Sequence, residues 1–274
     1  MIIRALVENT STSEIYRSEH GLSLYIETNS HKILFDTGAS AVFTENARKM
    51  GVNLREVDLA VISHGHYDHG GGIRTFLNIN EEAKVYIKEN VFVKHYATGP
   101  VGKKTYIGLD QALLPNDRFA FVGEGLAIDD KLELFSQVTS ERLNPTGNRD
   151  LLMEINGLMV PDDFAHEQNL IIEEGENTVL IAGCAHKGIV NILEHFRMIR
   201  GHFPSHVIGG FHLYNPAANK YEDPAVVAEV GAYLLGTGAK FYTGHCTGIE
   251  SYERLKTILG EKIDYMSTGS LITI

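Results

Sequence analysis

Short apolar, β-branched runs alternate along the chain with stretches of helical period, and polar or glycine-rich turns separate them. Residues 1–7 form one strand-length run. Residues 22–28 and 32–36 form two more, and the turn formers Asn29, Ser30 and His31 between them predict a β-hairpin. Ser40 is placed to cap a helix through about Met50, and Gly51 to end it in the left-handed conformation that glycine enters cheaply. Residues 58–63 are short, apolar and β-branched enough to be a buried strand. Residues 73–78 then predict a helix and residues 84–88 a strand. From 91 to 116 no period holds, because Gly99, Gly102 and Gly108 interrupt mixed aromatic and basic residues; this stretch is expected to be a lid or substrate loop.

The second half keeps a simpler rhythm. Strands are expected at 178–182, 205–208, 240–243 and 262–266, with helical patterns at 189–199, 224–235 and 249–259 between them, which is the βαβ signature. Three of these strands run into polar turns: Gly183-Cys184-Ala185-His186, Gly209-Gly210-Phe211-His212 and Gly244-His245-Cys246-Thr247-Gly248. Ligands gather at the carboxyl ends of strands in α/β sheets, so these turns should meet in one place.

Composition narrows the setting. The 274 residues contain no Pro/Ser-rich linker and are read as one domain, residues 1–274. With 43% hydrophobic residues and no run of eighteen apolar ones, the chain can fill a core but offers nothing to span a bilayer. Its first residues lack a signal-peptide pattern, so a cytoplasmic location is expected. Cys184 and Cys246 both lie beside histidines in glycine-flanked turns, where site chemistry explains them better than a disulfide. A net charge of -11 disfavours nucleic acid, while bound cations would still permit a small anionic substrate. The stretch 91–116 also offers a surface for a homo-oligomer contact.

Directly after the strand at 58–63 stands His64-Gly65-His66-Tyr67-Asp68-His69, three imidazoles and a carboxylate in one turn of sequence. Alternate residues of an extended segment face one way, so His64 and His66 can grip one ion while Asp68 and His69 face a second. Two divalent ions are therefore expected, zinc first, with manganese or iron accepting the same donors. Asp36 is expected to orient a ligand histidine from behind. His212, approached by two glycines, is assigned a substrate or proton-transfer role, and Asp68 helps to hold the nucleophile. Lys94 and His95, with Lys103, Lys104 and Tyr106, read either as a grip on substrate or as a solvated face. His20, His31, His195, His202 and His206 have no cluster around them and are read as surface or packing residues.

The His-x-His-x-Asp-His cluster, with Phe35-Asp36-Thr37-Gly38 at the end of an earlier strand, resembles the metallo-β-lactamase superfamily of binuclear metal hydrolases. That resemblance implies an α/β fold, a four-layer αββα sandwich of two mixed β-sheets flanked by helices. The later turns resemble the branch known as dihydropterin-ribofuranosylaminobenzene phosphate synthase-like. Carried over by position, His64 and His66 would hold the first ion, and Asp68, His69 and His245 the second. Cys184 stands where the superfamily often has a bridging or second-site ligand, although a small buried packing residue is the alternative. The third ligand of the first ion falls to His186 or to His166. The resemblance implies a metal-dependent hydrolase that directs a metal-bridged hydroxide at a small phosphorylated or ester-containing substrate. A transferase joining a pterin to an arylamine and a ligand sensor without turnover are the competing classes.

Overall fold

A computed structural model describes the backbone of residues 1–274 and every side chain except that of Pro100. Two seven-stranded sheets dominate it. The first has the order Leu271–Thr273, Ile2–Val7, Ser23–Glu27, Lys32–Phe35, Leu59–Val61, Lys84–Lys88, Phe119–Val122. Its opening half is antiparallel, with Leu24 opposite Phe35 and Ile26 opposite Ile33 across the hairpin, and from Lys32–Phe35 onward the strands run parallel. The second has the order Ile263–Tyr265, Lys240–Thr243, His206–Gly209, Asn177–Ile181, Asn169–Glu174, Leu132–Phe135, Gly125–Ala127. Here the first four strands are parallel and the rest antiparallel.

Side-chain alternation sorts these strands into layers. In Lys32–Phe35 and Leu59–Val61, Ile33, Phe35, Leu59 and Val61 point into a core that also receives Leu132, Leu134, Leu170, Ile172, Val179 and Ile181 from the second sheet. The residues between them, Leu34 and Ala60, face the opposite way, onto Val42, Phe43 and Ala47 of helix Val42–Lys49 and onto Ile73 and Phe76 of helix Ile73–Ile79. The second sheet does likewise: Ile171, Leu180, Val207 and Phe241 pack beneath helices Ile189–Arg200, Pro224–Thr237 and Ile249–Leu259. Three stacked cores between four layers make an αββα sandwich. No helix among the described residues is long and apolar enough to cross a membrane.

Two expectations change. The helix expected from Ser40 begins at Val42, because Ser40 Oγ accepts the Val42 N–H at 3.2 Å and spends its own proton on Glu19. The stretch 91–116, expected as a lid or substrate loop, is more regular than its sequence suggests. It contributes strands His95–Thr98 and Lys104–Tyr106 to a four-stranded sheet completed by Leu151–Ile155 and Leu158–Pro161. These partners lie more than forty residues away in sequence, so no local period announces them.

Candidate metal centre

The chemistry-bearing turns leave the carboxyl ends of parallel strands, as α/β architecture predicts. Leu59–Val61 leads into the histidine cluster, Lys32–Phe35 into Asp36, Asn177–Ile181 into Cys184 and His186, His206–Gly209 into His212, and Lys240–Thr243 into His245. Four residues of these turns have a left-handed backbone: Asp36 (φ 59°), Ala185 (φ 55°), His212 (φ 49°) and His245 (φ 52°). Such strain in non-glycine residues gathers where surrounding structure enforces a functional geometry.

The buried Asp36 carboxylate organises both sides of the cluster. Its Oδ1 accepts the Ser63 N–H at 2.7 Å, and its Oδ2 accepts the Ser63 hydroxyl at 2.7 Å and His69 Nδ1 at 2.6 Å. The Ser63 proton is thereby committed, so Ser63 Oγ accepts from His64 Nδ1 at 2.9 Å. Both imidazoles are fixed in the tautomer that turns Nε2 toward the centre. His186 is set differently: Asn148 Oδ1 accepts its Nδ1–H at 3.1 Å, while Asn148 Nδ2 donates to the His186 carbonyl at 2.7 Å. Asn9 grips His245 in the same two-ended way, at 2.9 and 3.4 Å. A buried glutamate holds each backbone from behind, Glu167 accepting the N–H groups of His186 and Lys187, and Glu8 that of His245.

Two groups of donors result. In the first, one ring nitrogen from each of His64, His66 and His186 lies within 4.8 Å of the others. The Nε2 atoms of His64 and His186 are buried and have no hydrogen-bond partner. Burial first, and then the neighbouring imidazoles, hold both rings well below the usual histidine range, so each presents a lone pair. An unpaired buried polar atom costs about 1–3 kcal/mol, a cost that a bound cation would remove. In the second group, His69 Nε2 lies 3.1 Å from His245 Nε2 and 3.1 Å from Cys184 Sγ, and Asp68 Oδ2 is 3.3 Å from His245 Nε2 and 3.7 Å from His69 Nε2. Burial alone would raise the Asp68 carboxyl, but His69, His20 and His245 outweigh it and keep it ionised. Burial pulls His69 down, and Asp36 and Asp68 overcome it to hold the ring at about 9. Burial pushes the Cys184 thiol up, so its ionisation depends on a cation. Imidazoles, carboxylate and thiol in buried groups of three and four are a donor set that fits divalent ions.

The structure thus brings together His64, His66, Asp68, His69, Cys184, His186 and His245, with Asp36 behind them. Both nitrogens of His166 are in use: Nδ1 accepts the Gly65 N–H at 2.9 Å and Nε2 donates to Asp162 at 3.2 Å. The substrate roles expected for Lys94 and His95 are corrected. Lys94 points to solvent and pairs with Glu154 at 2.9 Å, and His95 is wholly buried against Asp162; neither lines the cavity. His20, read as a surface residue, is also corrected, since its Nε2 lies 3.2 Å from Asp68 Oδ2. Asn9, Asn148 and Ser63 carried no signal in the sequence, the two asparagines being single polar residues in turns and Ser63 the last residue of the apolar run 58–63. His31, His195, His202 and His206 lie away from the centre, with His195 stacked on Phe135.

A cavity of about 680 Å³ opens over the two groups. Tyr67, Ala97, Ile107, Leu151 and Pro216 give it apolar walls, Lys103 adds a cation, and His212 enters with both ring nitrogens unpartnered, its ring centroid 4.1 Å from that of His186. The floor tolerates no added bulk. A Cβ on Gly183 would stand 2.1 Å from Ser63 Oγ and 3.2 Å from His64 Nδ1. Gly183→Ala should therefore cost the metal-free protein about 1–3 kcal/mol, read as a lower urea midpoint at unchanged slope. An unshifted midpoint would show that the Asp36–Ser63–His64 chain is not rigid.

Comparison with known proteins places this geometry in context. The profile of the metallo-beta-lactamase superfamily matches residues 17–224. A 7,8-dihydropterin-6-methyl-4-(beta-D-ribofuranosyl)-aminobenzene-5'-phosphate synthase of Methanocaldococcus jannaschii is 28% identical over 273 residues, covering 93% of this chain and 90% of that one. The crystal structure of Tm1679, a metal-dependent hydrolase of the beta-lactamase superfamily, superposes with a TM-score of 0.83 at 30% identity, covering 100% of this chain and 99% of that one. YhfI from Bacillus subtilis, 12% identical with a TM-score of 0.57 and 99% of each chain covered, shares the fold.

Proposed function

Because the chain belongs to the metallo-β-lactamase superfamily, we propose that it is a metal-dependent hydrolase of a small substrate, built around two divalent ions. His64, His66 and His186 would hold one ion, and Asp68, His69, His245 and Cys184 the other. The observation that carries this reading is the pair of buried, tautomer-fixed and unpartnered Nε2 atoms of His64 and His186 beside the donors Asp68, His69, His245 and Cys184. When bound, such ions supply Lewis acidity and a water acidified toward neutrality. The thiol of Cys184 among imidazoles favours zinc over manganese or iron.

The protein's own groups divide the remaining work. Asp68, kept ionised by His20 and His245 at 3.2 and 3.3 Å, orients the attacking water and can accept its proton. His212 faces the cavity with both nitrogens free, so it can donate a proton to a leaving group. The apolar walls exclude bulk water and suit a flat or apolar substrate body, while Lys103 suits an anionic substituent. These features support an ester or phosphorylated small molecule as substrate. A transferase is the second reading, favoured by the similarity to the 28% identical synthase.

Zinc-loaded protein assayed against phosphodiesters, lactones and thioesters is expected to turn over one class, and His66→Ala to lose both metal and turnover. Full metal occupancy with no turnover of any class would defeat the hydrolase reading. Product formed only when an arylamine acceptor is present would favour the transferase.

A further inference from the structure

Behind His66, away from the cavity, lies a second cluster of titratable groups that the reaction does not use: His95, Asp162 and His166, all buried. We propose that Asp162 is the positioning residue of His66, fixing that ring from behind as Asp36 fixes His69. The inference rests on the two-ion reading above.

Asp162 has a side chain with no solvent exposure, and no lysine or arginine pairs with it. One backbone N–H and two imidazoles hold it. Its Oδ1 accepts the Phe164 N–H at 2.8 Å and His166 Nε2 at 3.2 Å, and its Oδ2 accepts His95 Nδ1 at 2.8 Å. The carboxylate is thus fixed on three sides before it meets His66. Two of its supports lead back to the ligand turn itself. His166 accepts the N–H of Gly65 at 2.9 Å, and His95 presses so closely on Gly65 that an added Cβ there would stand 3.0 Å from His95 Nε2. The backbone between His64 and His66 is therefore referenced to Asp162 through both imidazoles.

His66 completes the arrangement. Its Nε2 is buried without a hydrogen-bond partner, and the facing acceptor is Asp162 Oδ2 at 3.9 Å. A small rotation of the ring makes this a hydrogen bond, which commits Nε2 as donor and leaves the other ring nitrogen for the ion. Asp36 stands in the same relation to His69 at 2.6 Å. Each ion would then have one carboxylate–imidazole pair of its own, the arrangement that fixes a ligand's tautomer and raises its basicity. A third ion in this cluster is disfavoured because both nitrogens of His166 are already committed.

The test is stepwise zinc titration of metal-free protein, with a chromogenic chelator as competitor and metal content measured at saturation. Wild type should bind two ions. Asp162→Asn should weaken one of them by roughly 10- to 100-fold and leave the other within about twofold, with the metal-free melting temperature little changed. His95→Gln, which keeps a donor toward Asp162, should weaken the same ion less. Equal weakening of both ions, or unchanged affinities, in Asp162→Asn would overturn the inference while leaving the two-ion site intact. If Asp162→Asn does not fold, His95→Gln decides: selective weakening of one ion supports the inference, and two unchanged affinities overturn it. A third ion bound by wild type would also overturn it, by making the cluster a metal site. A wild-type chain that binds no zinc would defeat the proposed function and this inference with it.

Discussion

Replacing His186 with alanine is expected to lower turnover by on the order of a hundred- to a thousandfold and to leave one bound ion in place of two, whereas His166→Ala keeps both ions at saturating metal. The family resemblance leaves these two histidines in competition for one role, and hydrogen-bond accounting separates them. His186 Nδ1 is spent on Asn148, its Nε2 is buried with no partner, and Glu167 fixes its backbone N–H at 2.6 Å. Its ring also stacks on Phe164, with centroids 4.6 Å apart and planes 5° from parallel, so the lone pair has one direction to point. His166 has no lone pair to give, since Gly65 and Asp162 occupy both nitrogens. Metal analysis of the two purified variants, alongside steady-state rates on whichever substrate class the wild type accepts, reads both outcomes. A His186→Ala chain that keeps two ions, or a His166→Ala chain that loses one, would reverse the assignment.

The parts of the fold that follow from local period are legible in the sequence. Strand Lys84–Lys88, strand Lys240–Thr243 and helix Ile249–Leu259 stand where residues 84–88, 240–243 and 249–259 predict them, because one side of each element must be apolar to be buried. The histidine cluster and Asp36 are legible for a different reason: several donors fall within one turn beside a strand end. What escapes is whatever depends on contact between distant turns. Asn9 meets His245 across 236 residues and Asn148 meets His186 across 38, and a lone asparagine in a turn looks like any other turn former. His20 is a lone histidine in the sequence and a neighbour of Asp68 in space.

The misreading of Lys94 and His95 has the same root. Lys94 immediately precedes strand His95–Thr98 and its carbonyl continues the pairing with Leu151–Ile155, so the alternation of an extended chain splits this basic pair between the two faces. Lys94 goes outward to Glu154, and His95 goes inward to Asp162. The cavity cation is instead Lys103, and the wall residues Ala97 and Thr105 come from strands His95–Thr98 and Lys104–Tyr106, which pair with each other while His95–Thr98 also pairs with Leu151–Ile155. Function here is carried by a rigid double sheet that sets the donors and by an added small sheet that shapes what reaches them.

Removing the metals should abolish turnover and lower the melting temperature by roughly 10–20 °C, with both restored by zinc and neither by magnesium. Without a cation the centre has no partners for the Nε2 atoms of His64 and His186, and it crowds His69, His245 and Cys184 at separations near 3.1 Å. The folded chain alone assembles these donors, so a bound ion stabilises it through linkage. At a free concentration one hundred times the dissociation constant, each site adds about 2.7 kcal/mol. Two sites then add about 5 kcal/mol, and each kcal/mol moves the midpoint of a chain this long by roughly 2–4 °C. Magnesium is a poor substitute because it prefers an octahedral shell of oxygens, and this centre offers nitrogen and sulfur with a single carboxylate. Thermal unfolding in chelator, in zinc and in magnesium distinguishes these cases directly. Identical melting in all three would mean that the donors are satisfied without an ion, and the buried nitrogens of His64 and His186 would then need another partner.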